Sequence, residues 1–116
     1  MRQVLIMRSI VENLKRATIE TILLSLLTEE DKYGYQLAQE IKKRTDNKLS
    51  ILEGSMYTIL NRLKDNGDVT LRTELAGKKM TRVYYHITDS GREHLDEMVS
   101  TYDEYIGIIN TLIKHS

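Results

Sequence analysis

Apolar residues recur every three or four positions in several stretches of the chain, which is the spacing of amphipathic helices. The first predicted helix runs from Ser9 to Leu27, with a start near Val4, and the second from Tyr33 to about Thr45. The third runs from Glu53 to Asn66, where Gly67 follows as a C-terminal cap. The apolar positions are Ile10, Leu14, Ile19, Ile22, Leu23, Leu26 and Leu27 in the first helix, Tyr33, Leu37 and Ile41 in the second, and Met56, Ile59, Leu60 and Leu63 in the third.

A last helix is predicted at the end of the chain. Thr88 or Ser90 caps its start, and Ser90 with Glu93 forms a capping box. Its apolar residues step alternately by three and four positions, the heptad spacing of helices that pack on a partner helix. Gly107 costs this helix about 1 kcal/mol relative to Ala, and it permits either a kink or a close helix crossing. The seam consists of Leu95, Met98, Tyr102, Tyr105, Ile109 and Leu112, widened by Val99, Ile106 and Ile113.

Two further segments alternate between apolar and polar residues, which is the period of β-strands. They flank the residues Ala76 to Met80, so a β-hairpin with a basic tip is predicted from Val69 to Ile87. The apolar stretch from Leu49 to Leu52 is too short for a helix and is predicted to be one short strand.

The order of these elements predicts the fold. Two helices with a short connection, followed directly by a hairpin, form a winged helix-turn-helix. We expect a mainly α fold with a small β-wing and a long C-terminal helix. Residues 1–88 are expected to form the winged unit with its N-terminal helix, and residues 89–116 a dimerisation helix within the same structural unit.

Composition narrows the possible partners. The 17 Lys and Arg residues balance 17 Asp and Glu residues, yet the segment from Lys42 to Arg82 is predominantly basic and the chain from Asp89 onward predominantly acidic. A basic central third favours a polyanionic partner. Without Cys, the chain has neither disulfides nor thiolate metal sites, which is typical of a cytoplasmic protein. No apolar run reaches the roughly 20 residues of a membrane span, so neither an anchor, a signal peptide nor a membrane partner is expected.

The third helix is the candidate recognition helix. Its apolar stripe faces the core, and Ser55, Thr58 and Arg62 form an outward row suited to a major groove about 12 Å wide. Basic residues of the wing would contact phosphates and add affinity without sequence information. A solvated, solubilising surface is the alternative for all of these charges. The candidate DNA-contacting residues on the helix and wing are Ser55, Tyr57, Thr58, Asn61, Arg62, Lys64, Arg72, Lys78, Lys79 and Arg82.

The sequence contains little that indicates catalysis or metal binding. His86, His94 and His115 lack the spacing of a helical metal pair. Phosphate-binding glycine loops, nucleophile elbows and zinc-protease motifs are absent from the sequence. We expect neither an enzyme, a metal site nor a cofactor.

Three segments, YGYQLAQEI, ILEGSMYTILNRLKDNGDV and RVYYHITDSGREHL, resemble the PadR family of bacterial transcription regulators. The resemblance covers about Ile22 to Leu95, although Thr58 stands where many members have proline. The short terminal helix resembles the small subfamily typified by lactococcal multidrug-responsive repressors. The matching positions are Tyr33, Gly34, Tyr35, Gly54, Met56, Tyr57, Leu60, Leu63, Gly67, Arg82, Tyr84, Tyr85, Thr88 and Gly91.

This resemblance implies a homodimeric repressor of a pseudo-palindromic operator, in which the first and last helices form the dimer interface and Tyr35 joins the DNA-binding residues. It also implies a pore between subunits for a planar aromatic effector, with Tyr102 at the stacking position and Met7 and Met98 among the lining residues. Ordinary core or interface packing is the alternative for these three. A wide stripe packed within one chain is the alternative for the interface, whose predicted residues are Leu14, Leu95, Met98, Val99, Tyr102, Tyr105, Ile106, Ile109, Leu112 and Ile113.

Two functions therefore remain. The first is a sequence-specific DNA-binding repressor released by a small molecule. The second is a winged-helix protein-interaction module that lacks DNA binding and docks through its terminal helix.

Overall fold

The structure is a computed structural model that describes residues 14, 15 and 18–113. Helix α1 comprises residues 14–15 and 18–27 within this part of the chain, and its predicted start near Val4 lies outside the described residues. The other elements are β1 (Lys32–Tyr33), α2 (Gly34–Arg44), α3 (Glu53–Asp65), β2 (Val69–Leu75), β3 (Thr81–Ile87) and α4 (Asp89–Leu112).

The four predicted helices and the hairpin are confirmed where the structure describes them. Gly67 ends α3 with a φ of 81°, which a glycine adopts without strain. Its N–H donates to the Lys64 carbonyl at 3.0 Å, and the next N–H, of Asp68, donates to the Leu63 carbonyl at 2.8 Å. These two bonds form a Schellman cap, as the sequence predicts.

The predicted strand from Leu49 to Leu52 is wrong. Those residues form no strand, because Ile51 inserts into the core and Leu52 serves as the N-cap of α3. The short strand is instead β1, which pairs antiparallel with β3 and gives a three-stranded sheet of order β1-β3-β2. The predicted fold, mainly α with a small β-wing, is otherwise confirmed.

The start of α4 also differs from one of the two predicted alternatives. Thr88 is the N-cap, and its hydroxyl oxygen accepts a hydrogen bond from the Gly91 N–H at 3.0 Å. Ser90 lies inside the helix and its hydroxyl is 3.4 Å from a carboxylate oxygen of Asp68. The predicted Ser90–Glu93 capping box is therefore wrong, because Thr88, the residue directly after β3, occupies the N-cap position.

One hydrophobic core joins α1, α2 and α3 to the inner face of the sheet. Full burial of a Leu side chain contributes about 1.5–3 kcal/mol, so this core dominates the stability of the winged unit. No helix in the described part of the chain is long and apolar enough to cross a membrane. The core residues are Ile19, Leu23, Leu24, Leu26, Leu27, Leu37, Ile41, Ile51, Met56, Leu60, Leu63, Val69, Tyr85, Ile87 and Leu95.

Candidate nucleic-acid interface

Helix α3 carries a long polar surface. Met56, Leu60 and Leu63 are fully buried, which turns the remaining faces of the helix outward because residues three and four apart share one face. Every residue predicted to read DNA from this helix is exposed: Ser55, Tyr57, Thr58, Asn61, Arg62 and Lys64.

The row Ser55, Thr58 and Arg62 borders α1. Ser55 and Thr58 line a groove of about 510 Å³ whose other side includes Lys15 and Ile19. The Arg62 Nε donates to the Glu20 carboxylate at 2.9 Å. Arg62 is therefore exposed and at the same time neutralised by a carboxylate of the neighbouring helix.

Tyr57 lies on the opposite flank of α3, against the start of α2. A Cβ built on Gly34 would lie 2.6 Å from the Cζ atom of Tyr57, so position 34 requires glycine as long as the tyrosine ring occupies this place. The contact fixes the spacing of the two helices of the helix-turn-helix. Tyr35, the next residue of α2, remains exposed to solvent.

The wing tip is narrow and basic. The Ala76 N–H donates to the Met80 carbonyl at 2.8 Å, and Gly77 turns the chain with a φ of 95°. Lys78 and Lys79 are exposed between them, and within the described residues neither ammonium group has a carboxylate partner. Their charge is thus free to meet phosphate groups.

Arg72 and Arg82 lie instead on the outer face of the sheet. The Arg82 guanidinium carbon is 4.4 Å from the ring centre of Tyr33, and that of Arg72 is 4.9 Å from the ring centre of Tyr84. The two rings meet edge to face at 5.4 Å. These cation–π contacts stabilise the wing by stacking.

Carboxylates also surround Arg72. Its Nε donates to Glu74 at 2.9 Å and its Nη1 to Asp31, and the other oxygen of Asp31 lies 2.7 Å from His86 Nδ1. Burial alone would raise the pKa of Asp31, but the hydrogen bonds from His86 and Arg72 outweigh it and lower the pKa. Arg72 is thus compensated, in contrast to the lysines at the tip.

A polar joint that the sequence analysis missed connects the wing to α4. We define the Asp68 joint as Asp68, Thr88, Ser90, Gly91 and His94. The Asp68 carbonyl accepts from the Thr88 N–H at 3.0 Å, and its almost fully buried carboxylate is 2.7 Å from His94 Nδ1. A Cβ on Gly91 would collide with the Asp68 carbonyl oxygen. Sequence periodicity detects apolar contacts, and no spacing pattern links residue 68 to residue 94.

A buried cation under α2 also escaped the sequence analysis. The Lys32 side chain is 2% exposed, with its Nζ 3.1 Å from Glu40 and 3.4 Å from both Glu29 and Glu30. Two hydrogen bonds from the Arg44 guanidinium to Glu29, at 2.8 and 2.6 Å, lower the pKa of Glu29 from 4.5 to about 2. This ion network fixes α2 to the turn before β1.

Along α4, burial ends after the first turns. Leu95 is 8% exposed in the core of its own chain, so it offers little surface to a partner. Met98 is half-buried, and the Thr21 hydroxyl lies 3.6 Å from its sulfur. Ile109 is half-buried and Ile113 caps the helix end. Ile113 is also exposed, as are the remaining residues predicted for the dimer interface: Leu14, Val99, Tyr102, Tyr105, Ile106 and Leu112.

A groove between α1 and α4 brings several of these side chains together. It has a volume of about 500 Å³ and contains both Met98 and Tyr102, two of the residues predicted to line an effector pore. Met7, the third, lies outside the described residues. The groove is lined by Leu14, Thr18, Thr21, His94, Glu97, Met98, Thr101, Tyr102, Tyr105 and Ile106.

Comparison with known proteins gives consistent matches. The model of the transcriptional regulator PadR-like family matches residues 23–97. An uncharacterised protein of Lysinibacillus sphaericus is 32% identical over 99 residues, covering 85% of this chain and 91% of its own length. A PadR family transcriptional regulator from Eggerthella lenta has a similar structure, with a TM-score of 0.86 at 27% identity and coverage of 100% of this chain and 99% of its own.

The negative transcriptional regulator PadR of Bacillus subtilis is also similar, at 31% identity over 75 residues. The match covers 65% of this chain and 41% of that protein. The crystal structure of Bacillus subtilis PadR in complex with operator DNA aligns with a TM-score of 0.63 at 26% identity, covering 85% of this chain and 50% of its own. The family match over residues 23–97 includes α2, α3 and the hairpin.

Proposed function

The chain belongs to the PadR-like family of transcriptional regulators, and we propose that it is a cytoplasmic homodimeric repressor that binds operator DNA through its winged unit. The family predicted from the sequence is thereby confirmed, whereas the resemblance to the small lactococcal subfamily stays a prediction. The observations that carry the proposal are two lysines on the wing tip, exposed and without a carboxylate partner among the described residues, and the exposed polar residues of α3. Under this proposal the protein has no enzymatic activity and needs no cofactor.

Helix α3 would enter the major groove. Asn61 is exposed on its outer surface, Tyr57 is exposed at the flank where its ring lies against Gly34, and Lys64 extends the same surface toward the backbone of the duplex. Tyr35 would contact the backbone from the start of α2. Ser55 and Thr58 would reach bases only at the edge of the α1 groove. Arg62 would bind DNA only after leaving Glu20, which makes that carboxylate a competitor of the duplex.

The wing would supply nonspecific affinity. Lys78 and Lys79 are free to neutralise phosphates and release counterions. Arg72 and Arg82 would act chiefly by holding Tyr84 and Tyr33, so that the wing keeps its angle to α3. Their loss should then weaken DNA binding through the geometry of the wing and change the salt dependence little.

The exposed apolar residues of α4 would form the dimer interface. Val99, Tyr102, Ile106 and Leu112 present large apolar surfaces to solvent within one chain, and contiguous exposed apolar surface marks a protein contact. Two copies that pair here would present two winged units to two half-sites of an operator.

The groove between α1 and α4 would hold a planar aromatic effector. Met98 adapts its shape to varied ligands, and Tyr102 offers a face for stacking and a hydroxyl for hydrogen bonding. A ligand changes DNA affinity only if it binds the two dimer geometries unequally. The Asp68 joint connects this groove, through His94, to the base of the wing.

Fluorescence anisotropy tests the proposal. A labelled duplex from the promoter of the protein's own gene is titrated against a scrambled duplex at two salt concentrations. We expect preferential binding to the promoter duplex that weakens as salt rises. Failure to bind either duplex at low salt would contradict the proposal and favour the alternative, a winged-helix interaction module without DNA binding.

A further inference from the structure

The wing carries large apolar side chains where a solubilising hairpin would carry polar ones. Leu75, the last residue of β2, is 79% exposed, and Met80, on the other side of the tip, is 59% exposed. They border the loop that contains Lys78 and Lys79. We refer to Leu75 and Met80 as the apolar tip pair.

The inner face of the hairpin leads out to this pair. Val69, Tyr85 and Ile87 are buried on that face, Leu71 and Val83 beyond them are partly exposed, and Leu75 lies on the same face beyond Thr73. The opposite face is polar and carries Arg72, Glu74 and Arg82, among others. The apolar side of the hairpin therefore extends past the core, with nothing in the described residues to cover its outer end.

The lysines identify what this surface contacts. Lysines alone on a hairpin protect a strand edge from pairing, but here the two lysines lie beside two large exposed apolar side chains, which such protection does not require. A DNA minor groove combines the same features, because its two rows of phosphates flank a floor of sugars and base edges, and Leu and Met side chains wedge between base steps there. The charge of the tip matches DNA better than it matches another copy of the chain, whose own wing tip is equally basic.

We propose that the apolar tip pair inserts into the minor groove of the operator and bends the duplex, while Lys78 and Lys79 bind the flanking phosphates. This inference rests on the proposed function and adds a device for reading DNA shape to it. Pyrimidine–purine steps unstack most easily. The protein should therefore prefer operators with a TA or CA step under the wing, at a position where no side chain bonds to a base.

The test compares two double variants of the full chain on the promoter duplex, labelled at both ends for energy transfer. Leu75→Ser with Met80→Gln removes the apolar tip pair, and Lys78→Ala with Lys79→Ala is the matched control on the same loop. All four side chains are exposed, so both variants should fold, which circular dichroism verifies.

The proposal expects the apolar variant to bind about tenfold more weakly, to bend saturated DNA less and to keep the salt slope of the wild type. It expects the lysine variant to keep the bend at saturation while the slope of log affinity against log salt falls by about 0.9 for each lost phosphate contact. A TA step replaced by a GC step under the wing should weaken wild-type binding and leave the apolar variant almost unaffected.

An apolar variant with wild-type affinity and bend would overturn this inference alone. A change in self-association of the apolar variant without DNA, with unchanged DNA bending, would also overturn it and assign the tip pair to contacts between chains. A wild-type protein that binds no duplex at low salt would overturn the inference and the proposed function together.

Discussion

The two halves of α4 belong to one helix, yet their surroundings differ completely. In the first turns, Thr88 caps the helix, Gly91 lies against the Asp68 carbonyl, and Leu95 enters the core. In the second half, Tyr102 is 51% and Leu112 is 74% exposed. Both halves carry apolar residues at helical spacing, but in the described part of the chain only the first half supplies buried residues, Gly91 and Leu95.

This difference indicates how the molecule is organised. Within the described residues, α1, α2, α3 and the sheet share one core, and the first turns of α4 join it through Leu95 and the Asp68 joint. Exposure of a continuous apolar stripe costs free energy that a second copy would recover, at about 25 cal/mol for each Å² of apolar surface buried. Substitutions in the first half of α4 should therefore change folding, and those in the second half should change assembly.

The largest effect is expected at Gly91. In Gly91→Ala the new methyl group would meet the Asp68 carbonyl oxygen and lie 2.8 Å from Cγ1 of Ile87, so the helix must move away from the wing. We expect a loss of about 3 kcal/mol in the free energy of unfolding, typical of severe overpacking, measured by urea denaturation at fixed protein concentration.

Gly107→Ala is the matched control in the second half of the same helix. A Cβ at position 107 meets nothing within 4 Å among the described residues, so alanine should stabilise the helix by up to about 1 kcal/mol. If two helices cross closely at this glycine, the same variant will also weaken dimerisation. Destabilisation of Gly107→Ala equal to that of Gly91→Ala would remove the distinction between the two halves.

The second-largest effect on the free energy of unfolding is expected at the Asp68 joint. Asp68→Ala leaves His94 and Ser90 without their shared carboxylate, a loss of about 2 kcal/mol for hydrogen bonds to a buried charged group. Urea denaturation measures the loss, and the exposed Asp65 of the preceding helix end provides the control variant Asp65→Ala. Equal stability of both variants would show that the joint does not anchor α4.

In the second half of α4, substitutions of two adjacent isoleucines distinguish an effect on dimerisation from an effect on folding. Ile109 lies on the predicted seam and Ile108 does not. Ile109→Ser should raise the dissociation constant of the dimer about tenfold, which corresponds to about 1.4 kcal/mol, while Ile108→Ser leaves it nearly unchanged. Sedimentation velocity over a concentration series checks both. Equal effects would place the interface on a different face of α4.

The smallest effect is a pH dependence confined to the winged unit. The pKa of Glu29 is lowered from its ordinary value of 4.5 to about 2 in the folded chain. The ionised Glu29 therefore contributes its full stabilisation above pH 4.5, and this contribution is lost as the pH falls toward 2. The pKa of Glu40 is lowered as well, because hydrogen bonds from Lys32 and Arg44 outweigh its burial. Acid should therefore loosen α2, and Glu29→Gln should flatten this part of the stability profile. If Glu29→Gln lost stability at low pH as steeply as the wild type, Glu29 would not be the source of this pH dependence.

Much of the fold could be predicted from the sequence because its signals are local. Hydrophobic periodicity located α2 and α3, Gly67 marked the end of α3, and alternation located the hairpin. The short strand was misplaced because a two-residue strand such as β1 depends on its pairing with β3, which no local pattern records.

The candidate site was predicted in outline only. The sequence indicated which residues of α3 and the wing tip are exposed, since exposure follows from the helical and strand periods. It did not indicate the polar contacts between distant parts of the chain. These contacts are Arg62 with Glu20, Arg72 with Asp31, and the Asp68 carboxylate with His94. These contacts join residues that are distant in sequence, so their partners are known only once the chain is folded.

Sedimentation equilibrium of the full chain without DNA is the decisive test of whether α4 pairs with another copy. If the second half of α4 packs against a second copy of the chain, the protein will have a mass of about 27 kDa, twice the 13.5 kDa of one chain. Ile109→Ser will then shift the measured mass toward 13.5 kDa. A wild-type protein that remains at 13.5 kDa across a wide range of concentrations would show that α4 does not pair with another copy.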